Sequence, residues 1–185
     1  MNYIFEITWF VWFLSEIFLN RLFQSKTNKS NDLDKNSLRF IWLSIFLSIT
    51  LGVLSSIYFK VPILNSGLVN LSGLVFIILG IIVRLIAIKT LGAFFTVDLA
   101  VHDNHHLVNT GMYKYVRHPS YSGSLLSFLG FGLCFNNWIS LAVILIPVFI
   151  SFWYRICVEE NLLEQNKLEY TDYKKHTKRL IPFIY

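Results

Sequence analysis

The chain has 185 residues, of which 55% are hydrophobic, 17% aromatic and only 15% charged, with a mean hydropathy of +0.55. A soluble domain of this length needs more charge to cover its surface, so the composition excludes an ordinary water-soluble globule and points to an integral membrane protein. The formal charge of +5 does not indicate nucleic acid: the basic residues fall between apolar runs, where they set topology and meet anionic headgroups.

Tyr3 to Phe23 is the first apolar segment. It lacks a basic leader and a small-residue cleavage site, so it reads as a retained helix rather than a signal peptide. Glu6 and Glu16 then face the bundle or an interface. Gln24 to Leu38 is polar and without apolar period, and with Arg21, Lys26, Lys29, Lys35 and Arg39 it reads as a short cytoplasmic loop. Phe40 to Phe59 is long enough to cross the ~30 Å hydrocarbon core. The Val61-Pro62 turn bears only Lys60, which puts it on the far side. A third span runs from Leu68 to Ile88, with Gly73 and Gly80 on one face, where small residues admit a neighbouring helix. Arg84 and Lys89 mark its inner end. Thr90 to Arg117 shows no apolar period; a connection of that length is functional or disordered, and its aromatics and histidines argue against disorder.

Pro119 to Phe135 and Ile139 to Ile156 form a helical hairpin turning at Asn136-Asn137-Trp138, with Trp138 as an interfacial anchor. The first arm, of ~17 residues, is at the lower limit for spanning. Pro147 is expected to kink the second arm, or to sit where a neighbour satisfies the freed carbonyl. After Arg155 the pattern becomes that of an amphipathic helix, with Glu159, Leu163, Asn166, Tyr170 and Tyr173 on one face. Cys134 and Cys157 flank a single spanning helix, roughly 30 Å apart at ~1.5 Å per residue and far beyond disulfide reach.

Counting basic residues gives an all-α, multi-pass integral membrane protein of about five transmembrane helices, N-terminus outside and C-terminus cytoplasmic. It ends in the hairpin and a cytosolic amphipathic helix. The expected division is an N-terminal two-helix membrane segment, 1–67, and a core, 68–185. The long loop, the segment around His118-Pro119 and the tail then share one compartment.

That segment, Gly111 to Gly123, carries the chemistry. Pro119 suits the first turn of a helix and pushes His118 into an extended conformation just outside it. A helix N-terminus crowded by Arg117, His118 and tyrosines favours a carboxylate or phosphate; taken alone, Arg117-His118-Pro119 is equally read as an interfacial helix start. His102, His105 and His106 invite a metal, but no thiolate pair or carboxylate cluster accompanies them, so ordering of the loop and contacts to a polar ligand are preferred. Arg155 and Glu159 share a helix face, which fits either an ion pair or an arginine poised to bind a carboxylate bidentately. Spacing alone does not choose. No hydrolytic triad, P-loop or Rossmann fingerprint is present.

The run His105-His106-Leu107-Val108-Asn109-Thr110-Gly111-Met112-Tyr113, then Arg117-His118-Pro119-Ser120-Tyr121-Ser122-Gly123, resembles the isoprenylcysteine carboxyl methyltransferase family. So does the tail, with Arg155, Glu159-Glu160, Tyr170, Tyr173 and Leu180-Ile181-Pro182-Phe183-Ile184. The likeness covers roughly 68–185; residues 1–60 match only as hydrophobic helices. It implies an S-adenosylmethionine-dependent membrane methyltransferase with the cofactor held at the cytosolic face. By motif position, His105, His106, Leu107, Val108, Tyr113, His118, Pro119, Ser120, Tyr121 and Glu159 would bind the cofactor, and Arg155 would orient the acceptor carboxylate. The tail departs from the family in lacking a glycine within Asn166 to Glu169, and His106 stands where histidine is not required.

The expected partners are therefore a lipophilic or prenylated substrate and membrane lipids, with no nucleic acid and no obligate protein partner evident. Competing expectations keep the architecture. An amine or thiol acceptor would need a base, for which His118 or Glu160 is available. A sterol-reductase-like protein would use NADPH, and a non-catalytic scaffold or transporter would tolerate loss of Arg155 and His118.

Overall fold

Two antiparallel helix pairs, each joined by close contact of small residues, build the described part of the protein. The computed structural model describes residues 10, 12–14, 32–92, 108–166 and 168–182, without the side chains of 32–35, 166 and 168. These residues form α1 (Asp32–Tyr58), α2 (Leu68–Leu91), a 3-10 turn (Gly111–Lys114), α3 (Pro119–Cys134), α4 (Trp138–Asn166) and α5 (Leu168–His176). Among them there is no strand, only two isolated bridges.

The α2–α3 contact rests on glycine. A Cβ on Gly73 would lie 2.6 Å from the Gly130 carbonyl oxygen, and one on Gly123 would lie 2.7 Å from that of Gly80. The expected role of Gly73 and Gly80 is thus realised, with glycines on both helices bringing backbone against backbone. The second pair is α1 and α4. Ser37 meets Arg155 at one end, and Gly52 packs on Ile144 and Ser140 toward the other, so the helices run antiparallel. Between the pairs lies a core of Ile77, Phe128, Phe131, Ile144, Val148 and Phe152. Trp12, one of four described residues of the first apolar segment, stands edge-on to Phe128 at a centroid distance of 5.0 Å.

Burial follows membrane rules. Ser37, Ser48, Ser124, Ser127, Ser140 and Ser151 are buried, while Phe46, Leu51, Ile57, Leu71, Ile78 and Ile146 are exposed. Small polar residues line helix interfaces and large apolar ones face outward, as expected where the surroundings are hydrocarbon. Among the described residues three helices are long and apolar enough to cross a membrane: 36–58, 68–91 and 138–165. The sequence predicts five spans. The first lies mostly outside the described residues, and α3, at 16 residues, is shorter than a typical crossing.

Two expectations need correcting. The polar stretch Gln24 to Leu38 is not all loop: from Asp32 onward it is helix, because Ser37, Ile41, Ser44 and Ser48 recur at helical spacing and are buried. The helix through Arg155 does not give way to a separate amphipathic helix. It continues to Asn166, passing through Pro147, and a new helix starts at Leu168. The expected face is thereby divided between α4 and α5.

At one end of the molecule the turns interlock. Asn136 adopts φ 46°, a conformation asparagine tolerates. Its Oδ1 accepts from the amides of Ile63 and Leu64, each at 3.2 Å, and Asn137 Oδ1 caps α4 through the amides of Ile139 and Ser140 at 2.9 and 3.1 Å. The α1–α2 turn is thereby tied to the hairpin turn, where Trp138 is exposed.

Candidate active site

The opposite end gathers the chemistry. Pro119 opens α3 with His118 as N-cap, and no side chain caps that end. His118 is buried, its ring stacked on Tyr121 at 5.6 Å. Phe152 of α4 backs Tyr121 at 5.4 Å. The Tyr121 hydroxyl donates to Glu159 Oε2 at 3.0 Å, and His118 Nδ1 stands 3.9 Å from the same oxygen. Arg155, one turn before Glu159 on α4, is fully buried. Its Nη1 donates to Ser37 Oγ at 2.6 Å, and the guanidinium also faces the Tyr121 hydroxyl. Thus α1, α3 and α4 each contribute to one polar row: Ser37, Arg155, Tyr121, Glu159 and His118.

The tail is clamped beside this row. Tyr115 and Arg117 exchange backbone bonds with Lys178, Lys178 N donating to Tyr115 O at 3.0 Å and Arg117 N to Lys178 O at 2.8 Å. His118 N donates to Arg179 O at 3.1 Å, and Ser122 Oγ to Leu180 O at 2.6 Å. Glu160, 1% exposed, is the ionic centre of the clamp. Its Oε1 accepts from Arg117 Nε at 2.8 Å, and its Oε2 from Arg179 Nη2 at 2.9 Å. His118 Nε2 lies 3.4 Å from Oε1. Arg179 also covers the Trp153 ring at 5.1 Å.

Tyrosines close the region. Tyr173 donates its hydroxyl to the carbonyl of Tyr113, binding α5 to the 3-10 turn. Burial pushes the Tyr173 phenol up to about 12. Burial, then the Glu159 charge, holds Tyr113 well above the ordinary range, and burial, then Glu160, does the same for Tyr170. All three are neutral donors at physiological pH.

Of the expected site residues, the fold brings together Tyr113, His118, Pro119, Tyr121, Arg155 and Glu159, with Ser120 in the first turn of α3. Val108 is half-buried. His105, His106 and Leu107 lie outside the described residues, as does His102, the other histidine of the metal alternative. Sequence reasoning missed Ser37, placed in a loop, and the clamp made by Arg117, Glu160 and Arg179. The available signals were the 37-41-44-48 spacing and a second acid beside Glu159 answering a basic tail.

A model of the isoprenylcysteine carboxyl methyltransferase family matches residues 73–165, half of the chain. A probable protein-S-isoprenylcysteine O-methyltransferase of Oryza sativa subsp. indica is 34% identical over 119 residues, covering 63% of this chain and 62% of that protein. The Saccharomyces cerevisiae protein-S-isoprenylcysteine O-methyltransferase is 37% identical over 124 residues, 65% of this chain and 52% of its own. The solved structure of a eukaryotic intramembrane Ras methyltransferase superposes with a TM-score of 0.60 at 28% identity, covering 81% of this chain and 52% of that one. The chain spans between about half and three-fifths of the length of these relatives.

Proposed function

The chain belongs to the isoprenylcysteine carboxyl methyltransferase family, and on that premise we propose that it methylates a carboxylate of a lipophilic acceptor, of the prenylcysteine kind, using S-adenosylmethionine. The observation that carries this reading is the meeting of Arg155 with Tyr121, Glu159 and His118 at one end of the bundle.

The residues present fit such a donor. The amides at the start of α3 are uncapped by any side chain, which suits the donor's carboxylate. The stacked rings of His118 and Tyr121 offer an aromatic face to a cationic or planar group. The buried Tyr170 hydroxyl has no hydrogen-bond partner among the described residues, which leaves it able to donate to a ligand. His118 to Tyr121, Tyr113 and Glu159 would hold the donor, with His105, His106, Leu107 and Val108 completing the pocket.

When bound, S-adenosylmethionine supplies a methyl group on a sulfonium, whose transfer to a carboxylate oxygen breaks S–C, forms O–C and leaves a neutral thioether and an ester. The acceptor is already ionised at neutral pH, so no general base is required and positioning supplies the catalysis. Arg155 would orient the carboxylate in a fork that an ammonium does not provide. Its burial strengthens that interaction by excluding water. Glu160 is unsuited to the base that an amine or thiol acceptor would need, since guanidinium groups engage both its oxygens.

In the same reading the chain spans the membrane five times, α3 making the short crossing, with an N-terminal segment (1–67) bracing a core (68–185). The site faces the cytoplasm and the acceptor's lipid chain enters from the bilayer. The test is incubation of the purified protein with methyl-labelled S-adenosylmethionine and a panel of lipophilic carboxylates, thiols and amines. Label in a base-labile ester of the carboxylates is expected. Label in amines or thiols alone, or none, would overturn the proposal.

A further inference from the structure

We propose that Ser37, on the N-terminal helix α1 and outside the residues that match the family model, is a positioning residue that sets the orientation of Arg155 for the acceptor carboxylate. The inference rests on the function proposed above.

Ser37 and Arg155 are separated by 118 residues, yet the Arg155 Nη1 to Ser37 Oγ distance is 2.6 Å. Both residues are fully buried. A guanidinium is planar and rigid, so a hydrogen bond held at one nitrogen limits the orientations its plane can take. An orientation set in this way exists before the acceptor binds rather than being imposed by it, and preorganisation of this kind appears as acceptor affinity.

The rest of α1 is consistent with this role. Ile41, Ser44 and Ser48 continue the buried face from Ser37, and Gly52 packs against Ile144 and Ser140 near the far end of α4. The register between α1 and α4 is therefore held at both ends. Serine suits the polar end: short enough to be enclosed between two helices, it still offers an oxygen to the arginine. Alanine there would keep the packing and remove the acceptor.

The experiment uses the full chain and its Ser37→Ala variant with an S-prenylated N-acylcysteine acid, the corresponding carboxamide and S-adenosylmethionine. Affinity for acid and amide is measured by direct binding, and methyl transfer to the acid by initial rates. In Ser37→Ala the acid is expected to bind roughly tenfold more weakly, the scale of one hydrogen bond to a charged group. Binding of the amide and of S-adenosylmethionine should be unchanged. A general loosening of α1 would weaken acid and amide alike, and that result overturns the assignment. So does a variant that keeps the wild-type preference for the acid. A wild type with no preference for the acid removes the proposed carboxylate function and this inference with it.

Discussion

Arg117 and Glu160, 43 residues apart in the chain, are joined by a 2.8 Å bond between Nε and Oε1. That pair, completed by Arg179 on Oε2, holds the C-terminal tail against the start of α3. The tail also bonds through its backbone at Lys178 and Arg179, so the clamp has an ionic and a main-chain component.

Replacing Glu160 by Ala is expected to destabilise the protein by ~3 kcal/mol, because removing one partner from a buried ion pair leaves the others uncompensated. The midpoint of thermal unfolding in detergent should fall, and the affinity for S-adenosylmethionine should fall with it as the tail loosens. An unchanged midpoint would mean that the main-chain bonds suffice.

The glycine contact between α2 and α3 makes a second prediction. A side chain at Gly73 meets the Gly130 carbonyl oxygen at 2.6 Å and the Cys134 amide nitrogen at 2.8 Å, neither of which can move without moving a helix. Gly73→Val should cost ~2–3 kcal/mol, the upper part of the range for overpacking. Gly67→Ala, where nothing lies within 4 Å, should stay within about 0.5 kcal/mol. Comparable losses at both positions would show that the α2–α3 approach is looser than described.

Activity should separate Arg155 from Tyr121. Arg155→Ala removes the group proposed to hold the acceptor carboxylate and is expected to lower kcat/KM by ~2–5 kcal/mol, the loss seen when one partner of a buried charge pair is truncated. Tyr121→Phe keeps the stack on His118 but removes the donor to Glu159, an effect of ~1–2 kcal/mol. Steady-state kinetics with the acceptor varied tests the order, and equal losses would contradict it.

Alkaline pH gives a further check. The Tyr173 phenol is raised by burial to about 12, and Tyr113 and Tyr170 are raised in the same direction. A raised pKa means that the folded state holds the proton more tightly than the unfolded state. The associated stability is therefore complete below the unfolded tyrosine value of about 10 and is lost as pH climbs through the folded one. Melting temperature should fall between pH 10 and about 12, and Tyr173→Phe should flatten that fall. A Tyr173→Phe profile parallel to wild type would refute the assignment.

Much of the site is legible in the amino-acid sequence because its motifs are local. His118-Pro119 announces a helix start, and Arg155 with Glu159 announces one face of a helix leaving the apolar region. Ser37 is not legible as a site residue. It sits in a stretch whose lysines and aspartates read as loop, and the 37-41-44-48 spacing marks a helix face without marking the serine as part of a site. Glu160 is legible as one of a pair of acids but not as the centre of a clamp, because its partners Arg117 and Arg179 are distant in the chain.

The chain alone determined that the protein is helical, that it is built for lipid, and where α2 and the hairpin begin and turn. Those properties depend on composition and on periodicity within single segments. Tertiary structure alone decided which ends meet: the register of α1 on α4 and of α2 on α3 selects the few side chains that touch. A register is a relation between helices that are far apart in the chain, set by the fit of small residues across an interface, and no single segment contains it.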